Sequence, residues 1–453
     1  METTTRRTGN ATALYRAVWR WHFYAGLLVL PFVILLATTG GIYLFKDEIA
    51  NISHRNERLV EVTGQAPRPP SALVASALQM HPGTLYAYEP AAAPNRSAIV
   101  KVAGQDGTKN TVYVNPYSAQ VLGSHPDSGA SGTPVMKLVR DLHSLAYVGW
   151  LGNRVIEAVA GWMILLVITG IYLWWPRGQK GGVVTIRNRP ARRVFWRDTH
   201  AVTGIFASGF IVFLAMTGLP WSGVWGAKFY DLSYKAGLGM PDGYWSKLPV
   251  STQPVGDAID RAPWIMEQQP MPVSGTANGV PVKLDDIVAT VEDLGIAAGY
   301  ALRIPGRADG VFTASVYPDD ITQERVIHLD QYTGEVLFDM RLNELGALGQ
   351  AAEWGISIHM GQAFGLLNQV VLLLVCVAMI AMSIAAGVMW WKRRPAGSLG
   401  APQMPLDWRI PRNVLLIAIA AGVFFPLVGL TLLVAAALEI GATSWSRLRT
   451  ART

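Results

Sequence analysis

Residues 21–45, 158–176, 199–227, 354–391 and 413–438 of this chain contain no Asp, Glu, Lys or Arg. A helix needs about 20 apolar residues to cross a bilayer, so the five stretches read as five spanning helices. Composition agrees, since 15% of the 453 residues are charged, against about 25% in soluble domains. The first stretch exceeds the roughly 7–15-residue core of a cleavable signal and lacks a small-x-small site, so it is expected to stay as an anchor.

The net charge of +7 follows the topology of those spans. Arg6, Arg7, Arg16 and Arg20 precede the first. Arg177, Lys180, Arg187, Arg189, Arg192, Arg193 and Arg197 lie between the second and third, and Lys392, Arg393 and Arg394 follow the fourth. With alternating spans these segments share one side, and the positive-inside rule makes it cytoplasmic. Basic residues used in this way do not indicate a nucleic-acid partner.

The expected order is an N-terminus with span one at 1–45, an outside domain at 46–136, and an outer histidine segment with span two at 137–176. A basic cytoplasmic loop at 177–197 leads to span three at 198–227 and a second outside domain at 228–353. An outer histidine segment with span four (354–391), a cytoplasmic loop (392–412), span five (413–440) and a tail (441–453) complete it. Pro426 falls in the middle of span five. Hairpin arms of about 12 residues would be too short to cross, so one kinked span is expected. The other spans hold no charged residue at mid-membrane.

The two halves match. YVNPYSAQVLG at 113–123 aligns with HLDQYTGEVLF at 328–338, each reading strand, turn, strand. His22 and His200 each precede a Thr-Gly glycine (Gly40, Gly218) by 18 residues and share the pattern HxxxG. His143 precedes Gly170 by 27 residues and His359 precedes Gly387 by 28, and WWPR and WWKR close the two helices. Four membrane-associated histidines thus occupy equivalent places in two parallel halves. Related by a pseudo-twofold axis along the membrane normal, His22 would face His200 and His143 would face His359.

Two neutral imidazoles facing across a bundle suit a six-coordinate haem, which with both axial positions filled carries electrons. Gly26, Ala25, Gly204 and Ala201 leave room for a flat macrocycle. The histidines lack Asp, Glu or Cys partners at metal-ligand spacing, which disfavours zinc or di-iron. The single cysteine, Cys376, rules out an intramolecular disulfide and covalent c-type attachment. Arg20, Arg140 and Arg197 stand two or three residues before a histidine, as propionate partners or as interfacial anchors. His54, His81, His125 and His328 have no repeat partner and are expected at the surface.

The motifs LHSLAYVGWLGN…ITGIYLWWPR, WRDTHAVTG…TGLPWSG and SIHMGQAFG…WWKRRP resemble the PepSY-associated transmembrane family over roughly residues 15 to 440. The resemblance implies an α-helical integral membrane protein of about five spans with two small α+β PepSY-like periplasmic domains, in the bacterial inner membrane. It further implies the activity of ferrioxamine-type reductases, whose two b-type haems pass electrons across the membrane to reduce a ferric siderophore at the periplasmic face. On that reading His22 and His200 bind the inner haem and His143 and His359 the outer one. Without a Gly-rich dinucleotide fingerprint, a separate donor is expected, a quinol or a cytoplasmic reductase. The competing readings are a membrane-anchored PepSY peptide binder or peptidase regulator, and a siderophore or haem transporter.

Overall fold

The computed structural model describes residues 2–178, 181–240, 249–275, 279–395, 400 and 412–450. In chain order, α1 (Glu2–Tyr43) is followed by α2 (Lys46–Ser53), α3 (Arg55–Arg58) and α4 (Pro70–Met80). Four strands come next, β1 (Gly83–Glu89), β2 (Ala98–Gly104), β3 (Lys109–Val114) and β4 (Val121–Pro126). Then come α5 (Pro134–His143), α6 (Trp150–Trp174), α7 (Arg193–Gly218) and α8 (Trp225–Lys235). The chain continues with β5 (Val250–Pro254), α9 (Val255–Ala258), α10 (Trp264–Glu267), β6 (Pro270–Pro272) and α11 (Leu284–Asp293). The strands β7 (Ala301–Arg303), β8 (Val311–Val316), β9 (Arg325–Asp330) and β10 (Val336–Arg341) precede α12 (Ala347–His359), α13 (Gly365–Arg393), α14 (Arg412–Phe424) and α15 (Pro426–Thr450). Lys180, most of the expected loop at 392–412, and Arg452 lie outside the described residues. The elements form two compact units. One is Met1–Gly41 with Asp141–Phe229 and Val371–Thr453, the other Ile42–Arg140 with Tyr230–Val370.

The first unit is the membrane part. Four helices are long and apolar enough to cross a bilayer, Leu14–Tyr43, Trp150–Trp174, Arg193–Trp221 and Gly365–Arg393. On α1, Ala25, Val29, Val33 and Ala37 recur every four residues and are buried. Val29, Val33 and Ala37 share one core cluster with Val159 and Met163 of α6, Ala207 and Ile211 of α7, and Val375 and Met379 of α13. The opposite faces are equally apolar and bare, with Leu28, Phe206, Leu374 and Val377 all more than half exposed. Rows of uncovered aliphatic side chains are rare on water-facing surfaces; lipid covers them without cost. At one end of the bundle the basic segments meet. Arg177 lies over the rings of Tyr15 and Tyr172, Arg393 lies over Trp19, and Lys392 Nζ donates to the Ala191 carbonyl.

Residues 413–440 correct the expectation of one kinked span. The chain doubles back at Phe425: a methyl group on Gly422 would stand 3.0 Å from the Cα of Gly429. Seven residues of continuous helix would separate them by about 10 Å. The hairpin packs on α6, where Ile164 joins Phe425 and Val428 in one cluster and Trp162 Nε1 donates to Thr431 Oγ1 at 3.0 Å. Its apolar arms, Leu415–Phe424 and Pro426–Leu438, are shorter than the four long helices. One buried carboxylate lies in a spanning helix near its end rather than at mid-membrane. Glu157, one residue outside the second charge-free stretch, is buried in α6 and accepts the N–H groups of Val224 and Trp225 at 2.9 Å each. It meets the N-terminus of α8, whose unpaired N–H groups favour an anion.

The second unit corrects the expectation of two separate domains. Both outside segments contribute to one antiparallel sheet of eight strands, in the order β10-β9-β8-β7-β1-β2-β3-β4. The halves join where β1 pairs with β7 through Ala87↔Arg303 and Tyr88↔Leu302. On one face α4 and α11 lie over a shared core that includes Leu73, Val74, Val100, Val112, Ile287, Val291, Phe312 and Ile327. Ser71, at the start of α4, donates through N and Oγ to Asp285 of α11 at 2.7 and 2.6 Å. The matching strand-turn-strand lines have the same turn. Asn115 Oδ1 accepts from Tyr117 N and Ser118 N, and Asp330 Oδ1 accepts from Tyr332 N and Thr333 N. Ala119 and Gly334 then take φ of 60° and 71°, a region where glycine is at ease and alanine is strained.

Candidate functional site

His22 on α1 and His200 on α7 face each other with ring centroids 6.3 Å apart and planes at 83°. His22 Nδ1 lies 2.9 Å from Thr169 Oγ1. That hydroxyl gives its hydrogen to the Leu165 carbonyl at 2.7 Å, so its oxygen accepts and Nδ1 carries the imidazole proton. His200 Nδ1 donates directly to the Met382 carbonyl at 3.0 Å. Met382 precedes Gly387 by five residues, as Leu165 precedes Gly170. The second half has Ala386 where the first has Thr169, so the carbonyl that Thr169 would occupy is open to the histidine itself. In both rings Nε2 keeps the lone pair that a metal needs.

His143 repeats the device at the other end of the bundle. Its Nδ1 lies 2.9 Å from Thr39 Oγ1, which donates to the Leu35 carbonyl at 2.7 Å. Thr39 follows His22 by 17 residues of α1, about 26 Å along the axis. Gly170 and Gly40 give the rings their room, since a methyl group there would stand 3.2 Å from His22 Cε1 and 3.3 Å from His143 Cε1. Outside the spanning helices, burial pushes the His143 imidazole down to about 4, so it is neutral near pH 7.

A turn separates each outer histidine from the helix that follows. After His143, Leu145 and Gly149 take φ of 51° and 65° before α6; after His359, Gly361 and Gly365 take φ of 78° and 55° before α13. His359 closes α12 in the second unit, half-buried.

The His22–His200 geometry can be tested against a metal. Two imidazoles bonded to one ion from opposite sides, each at about 2 Å, have centroids about 6 Å apart. The observed 6.3 Å matches, and the ligand set of neutral nitrogens without carboxylate or thiolate fits iron in a porphyrin. A family model, that of the PepSY-associated TM region, matches residues 19–393. The chain belongs to that family. The PepSY-associated match takes in all four repeated histidines and the greater part of the four long apolar helices, so this is a membrane protein. No curated protein matches the chain.

Other expected residues in this PepSY-associated protein fall differently. Arg197 pairs with Asp198, a wholly buried carboxylate that Arg187 also holds at 2.9 Å. Arg20 lies over the Tyr24 ring, and Arg140 belongs to the second unit. Gly204 lies against Met382 Sδ and Gly26 against Leu166. His328, expected at the surface, is completely buried in β9 with Nδ1 2.8 Å from Thr313 Oγ1. His81 Nε2 bonds Ser124 Oγ at 2.8 Å. His54 and His125, also expected at the surface, stack edge to face with centroids 4.7 Å apart.

Two further features of the second unit carry no sequence signature. Glu353 is fully buried, accepting from Trp264 N and Tyr317 OH, and burial pushes it up to about 7. Neighbouring Glu324 has no hydrogen-bond partner for either oxygen among the described residues, and burial raises it well above the usual carboxylate range. Buried Lys101 is held by Glu89, Asp127 and Asp260 beside a cavity of about 230 Å³. Drug-sized ligands take about 300–1,000 Å³, so this cavity is below that range.

Proposed function

We propose that this protein is a transmembrane di-haem electron carrier that reduces ferric siderophore at the periplasmic face of the bacterial inner membrane. The observation that carries the reading is the His22–His200 pair, with its separation and its fixed tautomers. By the repeat, His143 and His359 are equivalent residues and would hold the second haem. A haem held by these imidazoles would supply one-electron chemistry.

The chain's own residues do the rest. Thr169, Met382 and Thr39 hold the imidazole protons at Nδ1, and Gly170 and Gly40 leave space for the rings. The aliphatic bundle around Val29, Met163, Ile211 and Met379 excludes water between the two histidine levels. The family resemblance supplies the substrate class. Transfer of one electron turns Fe(III) into Fe(II), which the hard oxygens of a siderophore hold far less well. That chemistry asks for no acid–base residue. The basic ends of the spans support a cytoplasmic N-terminus; the electron would come from a separate donor, a quinol or a cytoplasmic reductase, since the sequence has no dinucleotide fingerprint.

The test is haem content by pyridine haemochromogen with a redox titration. Two haems per chain are expected in the native protein. His22→Ala and His200→Ala should each remove the same one. A native protein without a Soret band after expression with added haem would sink the proposal and leave the peptide-binding reading. For the substrate, protein reduced with dithionite should be reoxidised by a ferric hydroxamate, with the Fe(II) captured by ferrozine. Reoxidation without Fe(II) release would remove the siderophore from the proposal.

A further inference from the structure

His54, Glu57 and His125 bring their ligand atoms within 4.8 Å of one another in the second unit. His54 sits at the junction of α2 and α3, Glu57 on α3, and His125 on β4. His125 Nε2 bonds Glu57 Oε2 at 2.5 Å. The His54 ring stands edge-on to His125, and Ser53 settles its tautomer. Ser53 Oγ donates to the Ile49 carbonyl at 2.7 Å and lies 2.8 Å from His54 Nδ1. The imidazole therefore donates from Nδ1 and its lone pair is at Nε2. Gly123 makes room for the carboxylate, because a methyl group there would stand 2.8 Å from Glu57 Cγ.

We propose that His54, Glu57 and His125 form a binding site for a divalent first-row transition-metal ion of the zinc or ferrous class. Two imidazoles and one carboxylate suit such ions and leave coordination positions open for water or a substrate oxygen. Donors in a tetrahedral site with bonds of about 2.0–2.1 Å stand about 3.3 Å apart. His125 Nε2 and Glu57 Oε2, now 2.5 Å apart, part by roughly 1 Å and the other pairs close by less than about 2 Å, which half-buried groups can do by rotamer adjustment. When the metal binds, the proton shared by His125 Nε2 and Glu57 Oε2 leaves to solvent, and both atoms become ligands. Glu57 supplies negative charge that the histidines of the membrane unit do not have. The site is independent of the haem reading.

The test uses the full-length protein in detergent, dialysed against micromolar Zn²⁺ with millimolar Mg²⁺, and zinc counted by mass spectrometry so that haem iron does not interfere. One zinc per chain is expected, not displaced by Mg²⁺, with anaerobic Fe²⁺ as a competitor that reports the ferrous arm. His125→Ala and Glu57→Gln should weaken zinc by on the order of 100-fold, since outer-sphere partners alone are worth about 10–100-fold. Ser53→Ala should weaken it by about 10-fold. Arg58→Ala should tighten it a few-fold, because the Arg58 charge reaches His54. His54→Gln serves if the other ligand variants lose their cooperative melting transition. Zinc absent from the native protein, or retained equally by all ligand variants, would overturn the site.

Discussion

The histidines of the membrane unit and those of the sheet unit are built for different partners. His22, His200 and His143 each give Nδ1 to a hydroxyl or carbonyl of a neighbouring helix, and none of these three bonds among the described residues goes to a carboxylate. His125 instead touches Glu57, and both side chains are about a quarter exposed. A bare dication in a dry bundle would lack charge compensation. A porphyrin brings its own two negative charges to the iron. The bundle therefore needs geometry and neutral nitrogens, whereas the sheet unit must supply an anion and tolerate water.

The largest expected effect separates the two classes outright. His200→Ala should abolish one haem completely and leave zinc stoichiometry unchanged; His125→Ala should do the reverse. If His200→Ala also removed zinc, the two sites would not be independent.

A second contrast lies between buried carboxylates. Glu157 in α6 accepts two backbone N–H groups, whereas Glu324 has no such donor among the described residues and stands beside Glu353. With Glu353 raised from 4.5 to about 7, the folded state holds a proton that the unfolded state releases. Stability is then fully present below about pH 4.5 and is lost as pH rises through about 7. Melting of the native protein followed by near-UV circular dichroism should fall across this window. Glu324→Gln should flatten the fall. A melting temperature rising from pH 5 to 8 would contradict the assignment.

Much of this was readable in the sequence, and what was hidden has physical reasons. Charge-free length exposes the four long helices, but α7 begins at Arg193, upstream of the window, because Arg197 and Asp198 pair inside the helix. Charge alone does not divide the window at 354–391, but its glycines do: Gly361 and Gly365, where a bend is expected, end one helix and start another. Pro426 signals a bend in either reading; the backbone contact of Gly422 with Gly429 decides for the hairpin. Strand patterns do not say which edges pair, so the β1–β7 junction that fuses two expected domains was invisible. His328 lies on β9, buried on both faces, where period-two alternation disappears. His54 and His125 are brought together by the fold across 71 residues, a spacing that marks no motif. Thr169 was in view beside Gly170, but the partner of His200 is a main-chain carbonyl, which has no side-chain signature.

That last difference gives the two smallest expected effects. Thr169→Val keeps the shape at His22 and removes the hydroxyl, so the Nδ1 proton loses its acceptor. Outer-sphere partners of this kind are worth about 10–100-fold in metal affinity, and the inner haem should be held about 10-fold more weakly, with Thr169→Ser restoring it. A variant of equal packing but no hydroxyl that kept native affinity would reduce Thr169 to a spacer. Ala386→Thr makes the converse change, giving the second half the hydroxyl of the first. The new hydroxyl could take the Met382 carbonyl and accept from His200 in its place, as Thr169 does between Leu165 and His22. One acceptor replaces another, so haem content should stay at two per chain and the midpoint potential of the inner haem should move less than in Thr169→Val. A larger shift from Ala386→Thr would mean that the direct carbonyl bond of His200 is not interchangeable with the hydroxyl relay of His22, and that the two ligands of one site are tuned separately.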